Sequence, residues 1–200
     1  MHVSKKQQVL ELARKYAVIR PVDVARAGLP REYLYRLADE GKLERIGRGL
    51  FQSPDCEVGQ HFGLVTVARQ VPNGVVALLS ALSYHGFTTQ HPHEVWIAVD
   101  RKAHQPKIDY PKIRYLSMSG LVLTEGVEEH LVDGVNIKVF NAAKTVADCF
   151  KYRNKIGLDI ALEALREGWR EKRFTMNELS HYAQVCRVLN VMRPYMESLV

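Results

Sequence analysis

The sequence predicts an α+β protein: an N-terminal winged helix-turn-helix followed by a larger mixed α+β domain. Three observations predict it. The stretch Pro21–Gln52, PVDVARAGLPREYLYRLADEGKLERIGRGLFQ, reads as two short helices, a tight joint and a basic hairpin. Nearly all the excess positive charge sits on residues 1–54, which contain that stretch. Beyond residue 60, runs with strand periodicity alternate with runs of helical periodicity, the pattern of a mixed domain.

Taken in order, Ser4 is placed to cap a helix running to about Tyr16, with Val9, Leu10, Leu12, Ala13 and Tyr16 as its buried stripe. Val18 and Ile19 form an extended link. Pro21 opens the next helix, since a first helical residue needs no amide donor. Val22, Val24 and Ala25 supply its apolar face, and Gly28 ends it. In the following helix Leu34, Leu37 and Ala38 recur at i, i+3 and i+4 and so face inward. Arg31, Glu32, Tyr35, Arg36 and Asp39 are left outside, Tyr33 is expected to pack on the first helix, and Gly41 closes the run. Leu43, Arg45 and Leu50 then alternate around Gly47-Arg48-Gly49 as two short strands and a tight turn would.

Residues 1–54 form the expected winged helix-turn-helix, and residues 60–200 the second domain. The turn-rich Ser53–Gln60, SPDCEVGQ, is the boundary between them. In the second domain His61–Val71 and Val75–Phe87 read as helices, separated by Pro72-Asn73-Gly74. Val95–Asp100, Lys112–Met118 and Val135–Phe140 read as strands, the last preceded by a Val132-Asp133-Gly134 turn. A helix begins at Asn141 with Ala143, Val146, Ala147 and Phe150 inward. Another has Leu158, Ala161, Leu162, Leu165 and Trp169 inward, and one or two more follow Thr175.

Charge divides unevenly between the halves. Residues 1–54 hold eleven Lys and Arg against six Asp and Glu, a net of +5; the remaining residues hold seventeen against sixteen, a net of +1. That asymmetry argues for a polyanionic partner of the first segment. An apolar fraction of 46% without a run of roughly 20 apolar residues excludes a membrane-spanning chain. Cys56, Cys149 and Cys186 are few, odd in number and far apart, so neither a disulfide framework nor a CxxC zinc site is expected, and a reducing cytoplasm is the expected compartment.

A duplex contact can be assigned residue by residue. Early residues of a second helix in such a motif enter the major groove, which puts Arg31, Tyr35 and Arg36 at base edges. Arg48, at the tip of a glycine turn, is expected to reach phosphate or an adjoining minor groove. Lys5, Lys6, Arg20 and Arg45 are candidates for further phosphate contacts.

The second domain offers weaker chemical patterns. His91-Pro92-His93 with Glu94 lacks a further ligand set at metal spacing and reads as a loop. Asp100-Arg101-Lys102 has the acid-x-lysine spacing of metal-dependent nucleases, but only Glu94 stands near it, and charges capping a strand account for it. Ser80, Ser83, Tyr84 and His85 read as a polar helix edge without a nucleophile elbow. Arg166, Arg170, Lys172 and Arg173 interleave with Glu163, Glu167 and Glu171 as a solvated helix face. Lys144, Thr145 and Asp148 sit near a helix start, Lys144 and Asp148 at i, i+4. They are either a structural ion pair or part of a functional motif. His130 and Asp133 carry no assignable role.

The order of motifs carries a resemblance. A basic winged helix ending in GRGLF precedes ALLSALSYHGFT, VWIAV and VDGVNIKVFNAAKTVADCF. Together these resemble the AbiEi family, antitoxins of the AbiE type IV toxin–antitoxin systems of abortive infection and phage defence. The resemblance spans most of the chain. It implies a two-domain, non-enzymatic protein without metal or cofactor. The N-terminal domain of that family binds inverted repeats in its own promoter and represses the operon. The C-terminal domain counters the partner toxin, AbiEii, a nucleotidyltransferase-like protein, with direct contact left open. It also makes Lys144, Thr145 and Asp148 candidates for the antitoxin function. The competing reading from the residues is a metal-dependent nucleic-acid enzyme, a nuclease targeted by the winged helix. A third is a regulator whose second domain senses a small molecule.

Overall fold

In the computed structural model, residues 3–56, 59–88 and 92–199 are described. They form a mixed α+β structure that divides into two compact units. The first runs to Pro72 and adds Ile108–Pro111 and His130–Ile137; the second holds the rest. The first unit thus extends past residue 54, and Glu57 and Val58 of the Ser53–Gln60 boundary lie outside the described residues.

The first unit begins with α1 (Lys5–Lys15), where the Ser4 hydroxyl accepts the Gln7 N–H as N-cap. Helix α2 (Pro21–Arg26) starts on the proline and stops at Gly28, whose φ of +73° favours glycine. Helix α3 (Glu32–Asp39) follows, then β1 (Glu44–Gly47) and β2 (Leu50–Gln52), an antiparallel hairpin. Val9, Ala13, Ile19, Val24, Leu34, Leu37, Leu43 and Phe51 make one core, so all three helices and the hairpin share it. Ile19 also bridges Phe51 through reciprocal backbone bonds of 2.8 and 2.9 Å, tying the link before α2 to the hairpin. Val22, expected inward, is exposed; α2 is so short that Val24 alone reaches the core.

Helix α4 (Phe62–Gln70) belongs to the same unit. Its Arg69 donates to Asp23 at 3.3 Å and lies over the Tyr16 ring at 4.9 Å. The Asp133–Gly134 turn completes the unit: the Asp133 carbonyl accepts the Ala17 N–H at 3.2 Å. A Cβ on Gly134 would stand 2.5 Å from the Lys15 carbonyl oxygen, so only glycine permits this approach.

The chain also holds a five-stranded sheet. Its strands are β3 (Val75–Val76), β4 (Val95–Asp100), β5 (Ile113–Met118), β6 (Val127–Val132) and β7 (Val135–Phe140), in the order β5-β4-β3-β7-β6. The sheet belongs to the second unit except at residues 130–137, the end of β6 and the start of β7, which fall in the first. Strand β3 runs antiparallel to β4 and parallel to β7, and β4 is parallel to β5. The sequence places one helix over Val75–Phe87, whereas Val75 and Val76 are the sheet's middle strand and α5 (Leu78–His85) begins after them. Two buried β-branched residues between neighbouring strands gain more from the ladder than from an extra helical turn. Strand β6 and the short α6 (Leu121–Thr124) have no counterpart in the sequence reading.

Helix α7 (Ala142–Lys151) is capped by Asn141, whose Oδ1 accepts the Lys144 N–H at 2.8 Å. Every residue from Ala142 to Phe150 is buried. Around it stand α8 (Arg153–Ile156), α9 (Leu158–Arg170), α10 (Met176–Val185) and α11 (Leu189–Glu197). Leu158, expected inward, is exposed on the first residue of α9, while Ala161 and Leu165 are buried as expected.

Candidate nucleic-acid interface

Helix α3 separates its residues cleanly. Leu34 and Leu37 are fully buried, whereas Glu32, Tyr35, Arg36 and Asp39 are exposed, as is Arg31 at its N-cap. Arg31 and Arg36 therefore stand on a helix whose opposite stripe is fixed in the core. Arg36 is further braced on the Tyr33 ring, 5.8 Å from its centroid, and Tyr33 itself is half-buried against the core. Tyr35 sets its ring edge-on to Phe51 at 5.3 Å, which couples α3 to the hairpin.

The hairpin turns through Arg48 and Gly49 between the paired Gly47 and Leu50, with Gly49 at φ +69°. Glycine accepts that left-handed conformation at no steric cost, and Arg48 beside it is left exposed at the tip. Arg45 is exposed on β1, opposite Phe51 in register. Lys5 is exposed near the start of α1. Lys6 is ion-paired with Glu40, which Lys42 also reaches at 3.1 Å. Hydrogen bonds from Lys6 and then Lys42 hold the Glu40 carboxyl below its ordinary value. Lys42 adds a cation beside the expected set; its position just after a helix-closing glycine was the available signal.

Arg20 is placed differently from the others. Its Nε donates to Asp23 at 3.1 Å, one terminal nitrogen donates to the Arg69 carbonyl, and its backbone N–H donates to Asp23 at 3.0 Å. The guanidinium expected at phosphate is thus committed to fastening α2 and α4. The acid three residues after a helix N-cap is the sequence signal for this bond. Burial lowers the Arg69 pKa, with the Asp23 charge working in the opposite direction.

Lys144, Thr145 and Asp148 are brought together, but wholly inside the second unit. Lys144 Nζ donates to Asp148 Oδ2 at 2.5 Å and lies 4.0 Å from the Phe140 ring centroid. The Cys186 thiol donates to the other Asp148 oxygen at 3.2 Å, and the Thr145 hydroxyl donates to the Phe140 carbonyl at 3.0 Å. These bonds knit α7 to β7 and to Cys186 at the end of α10. Burial raises the Asp148 pKa against the pull of Lys144 and Cys186. It also pushes the Cys186 thiol up to about 12. All three side chains are shielded from solvent.

The remaining motifs resolve into local structure. His91 lies outside the described residues. Glu94 accepts from Arg114 at 2.7 Å, and Asp100 accepts the Lys102 N–H at 2.8 Å in a turn after β4. Ser80 accepts the Trp96 N–H at 2.9 Å, and His85 Nε2 is 2.7 Å from the Phe140 carbonyl. Arg170 and Arg173 pair with Glu167 and Glu171. Among the described residues no group of three His, Cys, Asp or Glu is placed to hold a metal ion, and no helix is long and apolar enough to cross a membrane.

Over residues 7–54 the chain matches the family model described as "Transcriptional regulator, AbiEi antitoxin". That segment runs from the first turn of α1 to just past β2 and so contains α3 and the hairpin whole. No curated protein matches the chain significantly.

Proposed function

We propose that residues 1–54 are a winged helix-turn-helix that binds duplex DNA, with residues 60–200 as the antitoxin domain. Helix α3 enters the major groove with Arg31, Tyr35 and Arg36 at base edges, an arginine fork suiting guanine O6 and N7. Arg48 at the hairpin tip and Arg45 behind it take phosphates, joined by Lys5 and Lys6. Arg20 acts by fixing α2. The duplex is the protein's own promoter, where inverted repeats bring copies of the chain together to repress the operon. The second unit opposes a nucleotidyltransferase-like toxin, and the work is done in the cytoplasm.

One observation carries this reading: the arginines of α3 and the hairpin tip are all exposed within the segment that matches the regulator family. The test is a gel shift on DNA upstream of its own gene. Wild-type protein is expected to bind in a salt-sensitive manner and without need of a divalent metal. Retardation that vanishes with EDTA, accompanied by cleavage, would favour a nuclease instead.

A further inference from the structure

A cavity of about 430 Å³ opens on the second unit beside β4 and β5. Leu79, Ile160 and Trp96 give it apolar walls, while Glu94, Lys112 and Arg114 supply its charges. Its size falls within the roughly 300–1,000 Å³ range of pockets that enclose small ligands.

The strand register explains how the cations come to be there. Trp96 faces Arg114, and Ala98 faces Leu116, across the parallel β4–β5 pair. Alternation along β5 therefore puts Lys112, Arg114, Leu116 and Met118 on one face. Leu116 and Met118 are core residues on that face, yet the row begins with two cations. The row is basic where it lines the cavity and apolar where it enters the core.

Arg114 is held in place twice. Its guanidinium lies over the Trp96 ring, 4.8 Å from the centroid, and its Nε donates to Glu94 at 2.7 Å. Among the described residues the hydrogen bond and ion pair of Arg114 both run through Nε to Glu94, which leaves its terminal nitrogens without a partner, and Lys112 makes no ion pair. The three side chains leave the mouth one positive charge in excess. A pre-oriented fork with unused donors suits an anion, because little further freedom is lost on binding.

We propose that this cavity binds a small organic anion with a flat aromatic body, of the chemistry of a nucleoside monophosphate. The ring enters against Leu79, Ile160 and the edge of Trp96. The phosphate stays at the mouth on Lys112 and the terminal nitrogens of Arg114. The site lies outside the segment assigned to DNA, so its failure leaves the promoter reading untouched, and the converse holds.

The test uses the full chain, with equilibrium dialysis of labelled AMP and GMP read beside tryptophan fluorescence. Trp169→Phe leaves Trp96 as the reporter. Saturable binding is expected, with Trp96 emission changing in step. Arg114→Ala and Lys112→Ala should each weaken it about tenfold or more, the value of one charge-assisted bond, with the melting temperature unchanged. Adenosine alone and inorganic phosphate alone should each bind at least about tenfold more weakly than AMP, since each lacks half of the recognition. No saturable binding of either nucleotide, equal affinity for inorganic phosphate, or binding unaltered in both variants would each overturn the assignment.

Discussion

Helices α3 and α7 carry similar charged spacings and use them in opposite ways. On α3, Arg36 stands exposed beside a two-leucine stripe, its charge in solvent. On α7, Lys144 and Asp148 are both 0% exposed and satisfy one another. An exposed charge costs the fold little and can be lost without unfolding it. A buried pair is the reverse: removing one member strands the other in a medium that cannot solvate it.

That contrast sets the largest expected effect. Lys144→Met should destabilise the protein by about 3–5 kcal/mol at neutral pH, because Asp148 is left buried without its cation. The deficit should shrink on acidification, since the buried carboxyl then takes a proton and no charge remains to be stranded. Lys144→Met combined with Asp148→Leu should recover most of the loss. Urea denaturation across pH checks all three. A double variant that folds and matches wild type in a toxin-neutralisation assay would assign the pair to architecture; one that folds and falls short of wild type there would assign it to the proposed antitoxin function.

The α3 side should behave in the opposite manner. Arg36→Ala and Arg48→Ala should each weaken promoter binding by about 1–3 kcal/mol with the melting temperature unmoved. The two should differ in kind: Arg36→Ala relaxes sequence preference, whereas Arg48→Ala weakens all sequences alike and lowers the salt slope by about one. Gel shifts unaltered in both variants would remove α3 and the hairpin from the interface.

The contrast also explains what could be read in advance. The outward set on α3 was legible because leucines at i and i+3 fix which side is buried. The cap at Ser4 and the helix start at Asn141 were legible because each precedes a periodic run. The direction of Lys144 and Asp148 was not, since i, i+4 spacing is the same whether the pair faces water or core. The alanines at 142, 143 and 147, which let neighbours close in on every side, were the available hint. Strand β6 was hidden because Glu128, Glu129 and Leu131 are all exposed on it, leaving no alternation to see. The Arg20 bond was missed because its partners, Asp23 and the Arg69 carbonyl, come from two elements, one of them outside the motif.

The smallest expected effect sharpens the comparison between exposed and buried carboxylates. Glu178 is exposed on α10 and accepts from the Thr175 N–H at 2.7 Å and hydroxyl at 2.8 Å, while Thr175 Oγ1 caps the helix in return. Those bonds, the backbone one first, hold the Glu178 pKa below its ordinary value, the opposite direction from Asp148. A depressed carboxylate pKa means stability that is present above the unfolded value and lost as pH falls through the folded one. Thr175→Ala should cost about 1 kcal/mol at neutral pH. Glu178→Gln should cost less, and its gap from wild type should close on acidification below the ordinary glutamate range. For Asp148 the sign reverses: its raised pKa makes its contribution decline as pH rises from the ordinary aspartate range. A Glu178→Gln gap that stays constant through acid would show that the cap works by geometry alone, and that charge has no part in holding the start of α10.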